Sequence, residues 1–135
     1  MKEQLLTTLE TSRNYTLAVA EAMPETSYNF KPAGAGWNFM ELMHHIAYGI
    51  EWWQENFIKG NEIPWEQPPV KKNKQEIIAY LNQVYTSLNN IAGKQKLTDS
   101  AIKGFHGTID HTTHHRGQAV VYLRCNNVTP PEYVY

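Results

Sequence analysis

The chain has 135 residues, 41% of them hydrophobic and 19% charged, which suits one folded domain and excludes a disordered chain. Twelve Lys and Arg against thirteen Asp and Glu leave a formal charge of −1, so no global field draws the protein to nucleic acid or to an anionic membrane. The single cysteine, Cys125, excludes an intramolecular disulfide and every zinc site that needs two thiolates from one chain.

No stretch approaches the ~20 apolar residues of a spanning helix, and the first residues lack the apolar run of a secretory signal. The expectation is a cytoplasmic protein with no membrane segment. The composition stands out in its six histidines, with His44 and His45 adjacent and His111, His114 and His115 clustered.

The first segment, about Lys2 to Met23, reads as a helix. Leu5, Leu9, Val19 and Met23 share one face with Ser12 and Thr16, and Pro24 follows. A Pro- and Gly-containing loop leads to the second helix. There Asn38 and Glu41 have capping-box spacing, and Trp37 is placed to staple onto Leu42. The apolar stripe Leu42, Ile46, Gly49, Ile50, Trp53 and Phe57 carries this helix to about Ile58, with Lys59-Gly60 as its stop. Pro64, Pro68 and Pro69 make residues 61–70 a connector.

Asn73 and Glu76 repeat the start signal. Ile77, Leu81, Val84, Leu88 and Ile91 then follow at helical spacing, and Gly93 is the expected stop. From Lys94 to Gly107 the pattern is lost and the sequence predicts a second long connector. The fourth helix is expected from about Thr108 to Cys125, with Asn126 and Asn127 available for a left-handed cap. Residues 129–135, with two prolines, cannot continue it. Four amphipathic helices in one domain predict an all-α four-helix bundle over 1–135.

Helical geometry separates residues four apart by only about 40° around the axis. His111 and His115 have that spacing and can reach one metal ion. Gln118, Tyr122 and Cys125 continue the same stripe, which is too polar for a plain core and reads as the wall of a polar cavity. His114 is a rival ligand at the three-residue spacing. On the second helix His45 lies about a quarter turn from the apolar centre and can point inward; His44 lies nearly opposite and is expected to face solvent or a partner.

His45, His111 and His115 then form a three-nitrogen site with positions left for water or substrate. The plainer reading of six ordinary histidines stands beside it, with His44 and His106 assigned there. Arg116 falls off the stripe, to be solvated or to anchor a carboxylate. Cys125 reads as a buried structural thiol, and Gly49 and Gly117 as points of close helix approach. Asp110 is a candidate partner for a histidine or for the helix dipole.

The run His111-Thr112-Thr113-His114-His115-Arg116-Gly117-Gln118 resembles the H-x-x-x-H-R-G-Q signature of the DinB-like superfamily. Trp37-Asn38 with Glu41-Leu42-Met43-His44-His45-Ile46-Ala47 is similar to that family's second-helix motif, and its alignment selects His45. The ending Val128-Thr129-Pro130-Pro131-Glu132-Tyr133 resembles the family's tail. The resemblance implies an up-down-down-up bundle, often dimeric, with a divalent metal, zinc or nickel, on the three histidines. It also implies transfer of low-molecular-weight thiols or a thiol-dependent isomerisation; the family's name carries no implication of DNA contact.

The function expected from these readings is a metal-dependent transferase or hydrolase acting on a small molecule, with a thiol or water activated at His45, His111 and His115 and with Gln118 and Tyr122 orienting substrate. No individual catalytic residue and no organic cofactor is assigned. The alternative is a non-catalytic, dimeric module that binds metal or a small ligand.

Overall fold

The structure is a computed structural model that describes residues 1–134, and among them four helices and no strand carry the fold. Helix α1 (Lys2–Ala22) buries Leu5, Leu9, Ser12, Thr16 and Val19 along one face, the stripe its sequence predicts. Its last turn is followed by Met23 in extended geometry, by Pro24, and by a short 3-10 turn at Glu25–Ser27. Tyr28 then folds back and donates its hydroxyl to Ala20 O at 2.6 Å.

Helix α2 (Phe39–Trp53) starts at a complete capping box. Asn38 Oδ1 accepts from Glu41 N at 2.8 Å, and Glu41 Oε1 accepts from Asn38 N at 3.1 Å. The helix continues as a π-helical turn, Gln54–Ile58, and stops at Gly60, whose φ of 77° suits a residue without Cβ. Helix α3 (Lys74–Lys94) starts at Asn73, whose side chain accepts from Glu76 N at 2.8 Å; the Glu76 carboxylate reaches Lys72 N and not the cap residue.

Helix α4 (Asp99–Cys125) begins about nine residues earlier than the hydrophobic pattern predicts. Thr98 caps it by accepting from Ala101 N at 3.1 Å, so the expected long connector shrinks to Gln95–Thr98. α3 also runs past Gly93 to Lys94. Gly104 and Gly107 blur the pattern, and both have a packing reason. A Cβ at 104 would collide with Phe57 Cβ, and one at 107 would stand 2.7 Å from the Trp53 ring. The aromatics of α2 and its π-turn therefore lie directly on the α4 backbone, and that contact outweighs the roughly 1 kcal/mol cost of glycine in a helix. At the far end Asn127 takes a left-handed φ of 59°, as expected for the cap, and the described part of the tail leaves the helix. Tyr135 lies outside the described residues.

α1 packs on α3 and α4, and α2 packs on the same two helices. Paired residues give the directions. Lys2 Nζ caps Gly93 O and Gln95 O, while Lys74 Nζ caps Glu21 O and Met23 O, so α1 and α3 run opposite ways and each supplies a cation to the other's C-terminal carbonyls. Residue numbers rise together along α2 and α3, where Tyr80 meets Glu51 and Ser87 meets Gln54. They fall against each other along α2 and α4, where Gly49 meets His111 and Phe57 meets Gly104.

The core between the helices is filled by Leu9, Val19, Phe39, Leu42, Ile46, Ile77, Leu81, Leu88, Phe105 and Leu123. Among the described residues no helix is long and apolar enough to cross a membrane.

Candidate metal centre

Three imidazoles meet between α2 and α4. His45 is 7% exposed, and His111 and His115 are half-buried. His45 Nε2 lies 3.1 Å from His111 Nε2 and 3.1 Å from His115 Nε2, and one nitrogen from each ring can be chosen so that all lie within 4.8 Å. Backbone decides the approach. A Cβ on Gly49 would stand 2.5 Å from His111 Cε1, so only glycine at this turn of α2 lets the His111 ring slide in beside His45. The close approach read from Gly49 is thus present. That read from Gly117 is not, since a Cβ there meets nothing within 4 Å.

Each ring is fixed from behind in a different way. His115 Nδ1 lies 2.9 Å from Gln118 Oε1; the amide oxygen can only accept, so Nδ1 carries the proton and the Nε2 lone pair faces the cluster. Gln67 reaches in from the connector after the π-turn, and its Nε2 donates to His45 Nδ1 at 3.2 Å; this leaves the His45 proton on Nε2, and a metal bound there would take its place with the Gln67 amide turned to accept from Nδ1. His111 Nδ1 is buried without a partner, pressed against the α2 backbone at Gly49. Trp37 stacks on His45 with ring centroids 4.4 Å apart, and Trp65 covers His45 and His111 at 5.4 and 6.2 Å. These indoles keep water off one side of the rings.

Burial, with the neighbouring His115, His111 and His44 adding to it, pushes His45 down from 6.5 to about 4. Burial, then His115 and His114, brings His111 to about 4 as well. His115 is lowered by burial, against the opposing pull of its Gln118 bond. All three are therefore neutral at pH 7, the state in which an imidazole nitrogen binds a metal.

The donor set fits a divalent cation. At ~2.0–2.1 Å from a tetrahedral ion, ligand nitrogens stand about 3.3 Å apart, close to the two short separations here. Without an ion, the proton on His45 Nε2 is the one donor that His111 Nε2 and His115 Nε2 have to share. Among the described residues no Asp, Glu or Cys joins the group, so protein fills three positions and leaves the rest open. His115 also lines a cleft of about 520 Å³, bounded by Gly34, Gly36, Trp37, Gln118 and Tyr122. The cluster thus has a route to solvent on the His115 side.

The structure brings His45, His111, His115 and Gln118 together and sets Tyr122 at the cleft wall. The Tyr122 hydroxyl donates to Trp37 O at 2.7 Å, which ties the cleft loop to α4. Four expectations need correction. His44 does not face solvent or a partner: it is fully buried, with its ring 5.3 Å from that of Tyr80, its Nδ1 accepting from Lys71 N at 3.4 Å and its Nε2 unpaired. The connector after α2 folds over that face and covers it. Cys125 is exposed at the end of α4 and is not a buried structural thiol. Arg116 is buried and anchors no carboxylate among the described residues. Asp110 is exposed and forms no bond to a histidine.

His114 and His106 are exposed, which leaves His115 as the partner of His111. The sequence reading missed Gln67 and Trp65. Both sit in a proline-marked connector whose position over the cluster no periodicity can indicate.

A family model of the DinB superfamily matches residues 8–119. The chain belongs to the DinB superfamily. A crystal structure of a DinB-like protein from Bacillus cereus ATCC 10987 superposes on it with a TM-score of 0.84 at 20% identity, over 98% of this chain and 97% of that one. That similarity carries the fold of this DinB-superfamily chain. No curated protein matches it.

Proposed function

We propose that this DinB-superfamily protein is a metal-dependent enzyme acting on a small molecule, with His45, His111 and His115 holding one divalent ion, zinc or nickel. The observation that carries this reading is the pair of 3.1 Å Nε2 separations beside an open cleft. When bound, such an ion supplies a Lewis acid that lowers the pKa of a thiol or water at neutral pH.

The chain's own residues do the rest. Gln118 holds the His115 tautomer, and Gln67 steadies His45. Trp37 and Trp65 exclude water on one side of the rings and raise the strength of every charge interaction there. The cleft beside His115 has room for a metabolite-sized substrate, and a low-molecular-weight thiol is the class we favour for transfer. The Tyr122 hydroxyl is committed to Trp37 O, so this residue shapes the cleft and can still accept a hydrogen bond there.

A saturated, purely structural centre would need a fourth protein ligand, and none is present among the described residues. We place the enzyme in the cytoplasm, where its exposed Cys125 stays reduced. We also infer a homodimer, on the exposed apolar side chains Trp65, Val70 and Val121.

Metal analysis of tag-free protein tests the site. The expected result is one zinc or nickel per chain, lost in His45→Ala, His111→Ala and His115→Ala. Stoichiometric metal that survives all three changes refutes the centre. Thiol transfer to an alkylating electrophile, measured with and without chelator, then separates enzyme from binding module. Sedimentation reports the dimer.

A further inference from the structure

On the side of α4 turned away from the histidines lies a buried cation with no counter-charge among the described residues. Arg116 is 5% exposed. Its Nη1 donates to Ser12 O at 3.3 Å, to Ser12 Oγ at 3.4 Å and to Thr16 Oγ1 at 3.2 Å, and its guanidinium lies 4.9 Å over the Tyr15 ring. Every one of these partners is neutral. The ion pairs among the described residues, Arg13–Glu10, Lys59–Glu55 and Lys74–Glu21, do not include it. Buried charges are ordinarily paired, because an unpaired one bears its full desolvation cost.

The guanidinium has five N–H donors, and three of them sit on Nε and Nη2. Neither atom has an acceptor among the described residues, and neither is sealed in the interior as His44 Nε2 and His111 Nδ1 are. Arg116 lines a cleft of about 300 Å³ between α1 and α4, together with Thr11, Ser12, Ile109, Thr113, Tyr133 and Val134. The hydroxyls of Thr7 and Thr8, on its rim, are spent on Glu3 O and Gln4 O. Those of Thr11 and Thr113 have no protein partner among the described residues and remain free to donate. Among the described residues no carboxylate side chain lines the cleft.

We propose that this cleft binds a small oxyanion, the carboxylate or phosphate group of a metabolite-sized molecule. The Nε–Nη2 edge of Arg116 is a flat fork that takes two oxygens side by side. Thr11 and Thr113 add hydroxyl donors from the two helices, and Ile109 and Tyr133 offer apolar wall to a short carbon body. A guanidinium that served only to join α1 to α4 would direct its remaining donors at protein.

The site is separate from the metal centre. His115 and Arg116 are neighbours in sequence, but a helix turns about 100° per residue, so the two side chains leave α4 on different faces. The inference does not depend on the metal.

The experiment uses the full chain in excess chelator. Acetate and inorganic phosphate are each titrated against chloride at matched ionic strength, and melting temperature and the Arg116 Nε–Hε NMR signal are followed. The expected result is a saturable shift of that signal and a rise in melting temperature of roughly 4 °C at ten times Kd. The tighter anion tells carboxylate from phosphate.

Thr113→Glu, at an exposed position, places a tethered carboxylate beside the guanidinium. It is expected to raise the melting temperature in chloride and to abolish the anion response. Arg116→Gln also removes contacts that join two helices, so the Thr113→Glu arm carries the decision. His45→Ala is expected to keep the response. No effect beyond that of chloride in the natural chain, a response that survives Thr113→Glu, or one that vanishes in His45→Ala overturns the proposal.

Discussion

Helix α4 separates two polar interiors that are built in opposite ways. On the α2 side three neutral imidazoles face one another, with indole rings around them and a cleft at one edge. On the α1 and α3 side the Tyr85 hydroxyl, fully buried, bonds Ser12 at 2.9 Å and Thr16 at 3.0 Å, and Arg116 donates into the same pair of side chains. Among Tyr85, Ser12 and Thr16 donors and acceptors alternate and close on each other, and only the Nη1 of Arg116 joins them. In the first interior, three ring nitrogens converge and the one proton on His45 Nε2 has to serve both His111 and His115. A group of polar atoms that satisfies itself joins helices; a group that cannot do so is arranged for something that is not protein. The contrast makes a sharp division: changes on the α2 side should act on metal, and changes to Tyr85 and the hydroxyls it bonds on stability.

The largest expected effect is that of Gly49→Ala. Alanine is the better helix former by roughly 1 kcal/mol. Yet its Cβ would collide with the His111 ring, so metal affinity should fall by at least about tenfold. Competition with a chromogenic chelator measures it, and unchanged affinity would break the link between backbone approach and metal site.

Acid is the next test. His45 and His111 sit near 4 in the folded chain and at 6.5 in the unfolded one. The unfolded state thus binds more protons between these values, and the stability of metal-free protein is complete above pH 6.5 and lost as the pH falls toward 4. Thermal melts across that window should slope downward toward acid, and His45→Gln should flatten the slope. A profile that is flat in the unaltered chain would mean the rings are more solvated than the structure shows.

Gln118→Ala frees the His115 tautomer and should weaken metal binding about tenfold with little change in the melting temperature of metal-free protein. Tyr85→Phe is the mirror experiment. It should cost about 1 kcal/mol in denaturant unfolding and leave metal content intact, because Ser12 and Thr16 keep their bonds to Arg116. Metal loss in this variant would show that the two interiors are coupled through α4.

Legibility from sequence differed along the chain for the same physical reasons. Asn38 with Glu41 and Asn73 with Glu76 announce their helices because capping is settled within four residues. His111 and His115 could be paired on paper because one helical turn sets their separation, and His45 because its own helix has a clear apolar side. The first turns of α4 were hidden. Gly104 and Gly107 weaken the local helical signal, and the Phe57 and Trp53 rings that require them come from another helix. His44 was misplaced because what buries it is a connector, and Arg116 because its partners lie on α1, about a hundred residues earlier in the chain.

The sequence by itself determined the four helices, three of their starts and the identity of the converging histidines, since these follow from spacing and capping within a few residues; the family came from the resemblance of short motifs. Only the tertiary structure decided that α4 begins at Asp99 behind the Thr98 cap, that Gly49 admits the His111 ring, that Gln67 and Trp65 close over the cluster, and that Arg116 lies buried beside a cleft. Those outcomes depend on which surfaces meet when the helices pack, and contact between distant segments leaves no period in the sequence to read.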